Sequence, residues 1–491
     1  MLAVWHARPD LQTAFDLSTP GGIRDFLDWY AATVATLRSA DPGRVGLRDA
    51  IACRLRVLHR MLPRQAQRYT RGTHRLLTAW RARIDVLTGR LRGPSRLPSS
   101  AGRRDPEHPA ATQECLSLHS TPGIRIIGNV RGESGMGQSL RCFAAGCEAT
   151  GVPYAFLDSR SRNPSRRLAS APAGTADNPT GLRANMLYMP LEQVGHMLAS
   201  LGEQALRGRY NILMPFWELA TCPAEWRHAA SSVHELWAPT RFIEAAIATL
   251  GPLPTQVLHM PPCVPTPRPR TLTRSEAGLP QDAFLFFFSF DFFSYPERKN
   301  PLAVVAAFRE AFPRGTEATS LLISAMNADE RSPYWQRLRA AVATDPRITL
   351  LSRPMAHDEV LGLCQLSDCY VSLHRSEGFG YGPAEAMLLG KPVILTNYSG
   401  PCDYARPDNA CLVNFSLIDV GPNDYIHHAG RTWADPDVSH AAWHMRQLAA
   451  NPTMAAEVGR RGRQVISDQH APEVVGLLYQ QRLQRLGVLE R

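Results

Sequence analysis

The sequence predicts an α/β protein of doubly wound parallel sheets, and three observations predict it. Between residues 284 and 396 short apolar runs alternate with helical segments, the pattern of parallel strands joined by crossover helices. The apolar run Ile124–Gly128 empties into a glycine-rich loop and then a helix, which opens a second unit of the same kind. Strand-to-helix junctions of this type recur after 284–290 and after 369–373, so their loops share one edge of one sheet.

Taken in order, residues 1–92 form an N-terminal extension expected to be helical. Residues 8–32 mix apolar and polar side chains as a small helical module. From about 45 to 92, Leu55, Val57, Leu58, Leu76, Leu77 and Trp80 recur among arginines as in basic amphipathic helices. Proline, serine, glycine and charge dominate 93–118, a linker. A first doubly wound domain is expected over 119–265. Its strand Ile124–Gly128 leads into Arg-Gly-Glu-Ser-Gly-Met-Gly at 131–137, where Gly135, Met136 and Gly137 either line a cleft or make a tight turn. Another strand, Asn211–Pro215, precedes Phe-Trp-Glu-Leu, which holds Glu218. His234 follows further on. Proline-rich residues 251–270 connect to a second domain, 266–470, with strands Phe284–Phe290, Leu321–Ser324, Ile348–Leu351, Cys369–Leu373 and Val393–Thr396 and helices near 301–312, 332–343 and 357–365. The stretch 453–485 reads as helix, and residues 471–491 are set apart as a C-terminal helix.

The chemistry concentrates in 374–396. After the strand at 369–373 come Glu377, glycines at 378, 380 and 382 with Phe379 and Tyr381 between them, and a helix expected to open at Pro383 and to carry Glu385 in its first turn. The first turn of such a helix offers unpaired N–H groups and the positive end of the helix dipole, and glycines let a phosphate approach the backbone. Glu385 can also be read as merely complementing that dipole, and Glu377 as a solvated loop charge. At the second junction stand Arg298 and Lys299, one of only two lysines among 54 basic residues, ahead of Asn300 and Pro301. Both junctions point at one anion.

This combination resembles the Glu-x7-Glu signature of the family 4 (group 1) retaining glycosyltransferases. Ser-Gly-Pro-Cys-Asp-Tyr at 399–404 and Trp-Ala-Asp-Pro-Asp at 433–437 are similar to the same family, and the likeness runs over about 120–480. It implies two Rossmann-like doubly wound domains facing a central cleft, the GT-B architecture, with the helical extension in front. It further implies a nucleotide-sugar donor and a saccharide or lipid-linked acceptor, with no cofactor and no metal. On that likeness Glu377 holds sugar hydroxyls, Glu385 the ribose, Lys299 the diphosphate, and the segment Gly378, Phe379, Gly380, Tyr381, Gly382, Pro383 the donor. The last stretch is expected to cross back and brace the first domain. Two departures stand out. Relatives carry an arginine five or six residues before the lysine, where this chain has Phe292, Phe293 and Ser294, so Arg298 becomes the candidate for that role. Relatives also place a histidine in the first domain, for which His234 is the candidate, beside Gly135, Met136, Gly137 and Glu218. Alanine at Glu377 or Lys299 is expected to abolish turnover with the fold intact.

Composition narrows the alternatives. With 491 residues, 44% hydrophobic and 20% charged, the chain has room for about three domains and a large core. No apolar run reaches the roughly 18 residues that span a bilayer, and Met1–Asp10 lacks a signal peptide's order, so a cytoplasmic location is expected. Ten cysteines without Cys-x-x-Cys spacing argue for reduced thiols over disulfides or zinc. The net charge of +10 is uneven: residues 51–104 hold fourteen arginines against the single acid Asp85, a surplus of +13 that leaves −3 for the rest. That stretch suits an anionic membrane surface, and so a peripheral place on the inner face of the cell membrane, where lipid-linked acceptors are presented. Solvated helices fit it equally, and nucleic acid finds no recognised module. An epimerase or phosphorylase on the same architecture would lack the glutamate pair, and a non-catalytic scaffold would be expected to have lost it.

Overall fold

The computed structural model describes residues 121–158 and 181–490. The expected extension 1–92, the linker 93–118 and the basic stretch 51–104 lie outside the described residues.

Six strands make the first sheet: β1 (Thr121–Gly128), β2 (Tyr154–Asp158), β3 (Leu182–Pro190), β4 (Tyr210–Phe216), β5 (Glu235–Ala238) and β6 (Gln256–His259). They pair in the order β2-β1-β3-β4-β5-β6, every pair parallel. The principal helices around it are α1 (Gly135–Ala149), α2 (Leu191–Leu201) and α3 (Arg241–Ala248). All of β4 is buried, as a central parallel strand covered on both faces must be.

The second domain repeats the scheme with β7 (Phe284–Asp291), β8 (Thr319–Met326), β9 (Ile348–Leu351), β10 (Cys369–Ser372), β11 (Val393–Thr396) and β12 (Cys411–Val413) in the order β12-β11-β10-β7-β8-β9, again all parallel. Its helices are α4 (Pro296–Lys299), α5 (Pro301–Ala311), α6 (Pro333–Ala343), α7 (His357–Leu366) and α8 (Tyr381–Leu388). The phenylalanine run of β7 divides by the strand's period of two. Phe286 and Phe288 join one core with Phe308 and Phe312, while Phe287 joins the core on the other face. Each such burial contributes about 1.5–3 kcal/mol. An antiparallel hairpin, β13 (Phe415–Asp419) with β14 (Thr432–Pro436), was not expected from the sequence.

Three helices close the chain: α9 (Val438–Ala450), α10 (Pro452–His470) and α11 (Pro472–Arg485). The helical stretch 453–485 divides at Ala471, where the C-terminal helix is set apart; its ψ of 145° is the extended conformation that a following proline imposes. α10 packs on the second domain, close enough that a Cβ on Gly459 would lie 2.1 Å from the Gly390 carbonyl oxygen. α11 belongs to the first: Tyr479 stacks on Phe143 at 4.5 Å and on Trp237 at 5.6 Å. There Arg482 pairs with Glu235, which is fully buried.

In each sheet the chain works outward to one edge and then returns to build the other. The reversal falls between β1 and β3 in the first domain and between β7 and β10 in the second, where the loops of adjacent strands diverge and leave a crevice. The glycine loop after β1, Lys299 after β7 and Glu377 after β10 stand at those two points.

Candidate active site

Three of the sequence-predicted residues meet at one carboxylate. Glu377 is buried, with its Oε2 accepting from Arg298 at 3.0 Å and its Oε1 accepting from the Lys299 ammonium. Burial pushes this carboxyl up, but the charges of Lys299 and then Arg298 outweigh it and hold it at about 2. At Lys299 the balance reverses: desolvation exceeds the pull of Glu377 and leaves the ammonium below its usual range. Arg298 also loses solvation, yet the carboxylates of Glu377 and Glu218 more than restore its charge.

Arg298 is therefore not free to clamp a phosphate. It is 4% exposed, its other Nη1 bond goes to the Ser376 carbonyl at 2.7 Å, and it stands behind Glu377. Lys299, one residue on, reaches the other oxygen of the same carboxylate and is the more exposed of the two. α4 ends there: Asn300 adopts the left-handed conformation (φ 56°), donates its side chain to the Leu373 carbonyl, and passes the chain to Pro301. Asn300 stands at the N-cap position of α5, which its residue type would suit, but its side chain makes no capping bond there.

The loop after β10 is pinned from both domains. Ser399 accepts from the Glu377 amide at 2.9 Å, Tyr404 donates to the Gly380 carbonyl at 2.8 Å, and Thr240 of the first domain donates to the Gly378 carbonyl at 3.0 Å. The motif 399–404 thus buttresses the glutamate loop. α8 begins at Tyr381, two residues before the predicted Pro383, since Gly380 at φ 87° makes the turn into it, and no side chain caps that N-terminus. Glu385 consequently sits one turn into the helix. It is buried, and His357 at the start of α7 lies 2.9 Å from its Oε1. Burial lowers the His357 pKa, and the Glu385 charge more than reverses this.

Across the cleft, a Cβ on Gly137 would lie 2.1 Å from the Gly132 carbonyl oxygen, so this glycine serves the tight turn, whereas Gly135 faces open space. Met136 is partly buried against the core. Ser139, just inside α1, bonds Tyr188 at 2.5 Å and Tyr381 at 3.0 Å, joining the first domain to the start of α8. Glu218 reaches the site from the end of β4: its Oε1 is 3.9 Å from Arg298 and its Oε2 accepts from Tyr425. His234 does not reach it. It precedes β5 at the opposite edge of the sheet, where its Nδ1 accepts from the Asn211 amide and its ring stacks on Tyr210. Site edges lie at strand ends, and His234 lies at a strand start.

Sequence reasoning passed over Glu192, Tyr425 and His357. Glu192 opens α2 after β3, the strand next to β4, and burial together with the Glu218 charge pushes it up to about 7. Its position after an apolar strand was the available signal. Among the described residues no group of three or more His, Cys, Asp or Glu side chains is placed to hold a metal ion, and no helix is long and apolar enough to cross a membrane.

Two parallel six-stranded sheets, with a glycine loop, a lysine and a glutamate at their reversal points, define the class of molecule: a GT-B fold of two Rossmann-like domains. Within the second of those domains, residues 330–465 match the model of the glycosyl transferases group 1 family. The sucrose-phosphate synthase of Thermosynechococcus elongatus superposes with a TM-score of 0.55 at 16% identity, over 74% of this chain and 99% of that one. Anabaena HepE, solved with UDP-glucose, superposes with a TM-score of 0.54 at 11% identity, over 74% and 100%. The trehalose synthase of Rubrobacter xylanophilus is 26% identical over 170 residues, which is 34% of this chain and only 36% of that protein.

Proposed function

We propose that this protein is a retaining glycosyltransferase that moves a sugar from a nucleotide-sugar donor to a saccharide or lipid-linked acceptor, in bacterial surface polysaccharide or glycolipid assembly. The observation that carries the reading is Glu377 held between Lys299 and Arg298 in the reversal crevice, beside the uncapped N-terminus of α8. The donor diphosphate binds where the amides of that helix point outward, and Lys299 leaves Glu377 to meet it. Glu377, freed of one cation, accepts hydrogen bonds from sugar hydroxyls, while Glu385 takes the ribose. As the glycosidic bond breaks, charge gathers on the β-phosphate, and preorganised donors of this kind supply about 3–4 kcal/mol each. The departing phosphate accepts the acceptor's proton on the same face, which retains configuration.

UDP-glucose in HepE makes UDP-sugars the first donors to try. Donor consumption across UDP-, GDP-, dTDP- and ADP-sugars, with product anomericity read by NMR, tests the reading. Lys299→Met is expected to lower kcat about 100- to 1000-fold. An inverted product refutes retention, and a Lys299→Met enzyme of wild-type rate refutes the site.

A further inference from the structure

The hairpin β13–β14 encloses a strap, residues 420–431, that leaves the second domain and docks on residues 217–225 of the first. Arg431 donates through Nε to the Thr221 carbonyl at 3.3 Å and to its hydroxyl at 3.2 Å, and His427 lies 3.5 Å from Glu225. Between these anchors Tyr425, 6% exposed, packs edge-on against Tyr295 at 4.7 Å and tilted against Trp217 at 5.5 Å. Its hydroxyl donates to Glu218.

From Glu218 the contacts run inward. Its other oxygen is 3.9 Å from Arg298, and Arg298 in turn holds Glu377 at 3.0 Å. Two cations, Arg298 and Lys299, are balanced against the carboxylates of Glu377 and Glu218, with Glu192 near enough to Glu218 to feel its charge. That balance changes when a diphosphate draws Lys299 away, for Glu377 is then held by Arg298 alone. How firmly Arg298 grips Glu377 depends on how much of its charge Glu218 takes, since a guanidinium without a second carboxylate in a buried site would spend its field on the one that remains.

We propose that Glu218 is a positioning residue for Glu377, acting through the buried Arg298 and set in place by Tyr425 of the strap. Docking of the strap on the first domain thereby sets the orientation of the carboxylate that receives the sugar. Glu218 acts on the donor side of the reaction, although it belongs to the domain that faces the acceptor. The inference rests on the reading of Glu377 as the sugar-binding carboxylate.

The test uses the full chain and the nucleotide sugar consumed in the donor panel, with no acceptor added, so that only donor-side geometry is read. Tyr425→Phe and Glu218→Gln are each expected to lower kcat for donor hydrolysis about 10-fold with KM unchanged, the first by removing a hydrogen bond to a charged group and the second by removing the charge opposite Arg298. The double variant is expected to be no slower than Glu218→Gln alone, because both act along one line of contacts. Hydrogen exchange needs no turnover and reads the same coupling: in Tyr425→Phe, exchange rises across 374–380 as well as in the strap. Multiplicative effects, wild-type rates in either single variant, or exchange confined to 420–431 overturn the proposal. Glu377→Gln separates the two levels. If it keeps wild-type turnover, the reading of the site itself fails. If it is inactive while Tyr425→Phe and Glu218→Gln are unimpaired, only the coupling fails.

Discussion

Replacing Glu377 by alanine removes the one anion that two largely buried cations share. Each carboxylate oxygen is taken, Oε1 by Lys299 and Oε2 by Arg298, and the side chains of all three are at most 19% exposed. With the carboxylate gone, Arg298 keeps the Ser376 carbonyl and, as its one nearby carboxylate, Glu218 at 3.9 Å, and Lys299 loses its ion-pair partner. Breaking a buried pair from one side costs about 3–5 kcal/mol. The depression of the Glu377 carboxyl from 4.5 to about 2 gives a similar figure, about 3 kcal/mol. Against a typical total of about 5–15 kcal/mol this is a large share, so the alanine variant is expected to keep its fold at a markedly reduced stability. The sign follows from the depressed value. The stabilisation is fully present above the unfolded-state value near 4.5 and is lost as the pH falls through about 2. Thermal unfolding of wild type and Glu377→Ala, followed by circular dichroism from neutral pH downward, is expected to show a wide gap in Tm that closes in acid. Equal melting temperatures at neutral pH, or a gap that persists undiminished in acid, would refute the reasoning.

His357→Gln should behave in the opposite sense. Its imidazole is held above the usual value by Glu385, so its contribution is present in acid and lost as the pH rises through the folded value. The Tm gap to wild type is expected in acid, below the ordinary value of 6.5, and should close as the pH rises through the raised folded value; a gap that is constant with pH would count against the pair. At Gly400, a Cβ would lie 2.2 Å from the Gly378 carbonyl oxygen and 2.8 Å from the Phe379 nitrogen, both backbone atoms. Gly400→Ala must therefore displace the loop that carries Glu377, costing about 1–3 kcal/mol in overpacking. It should lose donor consumption while still folding, and full activity would show that the loop tolerates the shift.

What could be read from the sequence was whatever depends on neighbours along the chain. Apolar runs placed the second domain's strands β7 to β11, and the glycines between Glu377 and Glu385 marked the loop that the structure puts at the reversal crevice. What could not be read depends on partners far away. Arg298 and Lys299 are adjacent, and nothing local says which of the two will be buried; α4 ending at Lys299 and Asn300 in the left-handed conformation decide it. Tyr425 meets Glu218 across 207 residues, through a strap with no motif of its own. His234 is a candidate by likeness alone, which takes no account of strand direction; β5 begins at Glu235, in parallel register with Gln256, so the strand's start, not its end, lies beside it. The early start of α8 follows from Gly380 turning left-handed, a backbone choice that glycine permits but does not require.

That the helix Pro472–Arg485 seals the first domain has a consequence for biosynthesis. The face of α1 and β5 covered by Tyr479 and Arg482 stays open until the ribosome has passed the whole of the second domain, more than 200 residues after β6. At about 5–20 residues per second this is roughly 10–40 s during which Phe143 and Trp237 lack their cover and Glu235 lacks its arginine. The domain made first is thus completed last, and an isolated fragment ending near residue 265 would retain that exposed apolar seam permanently.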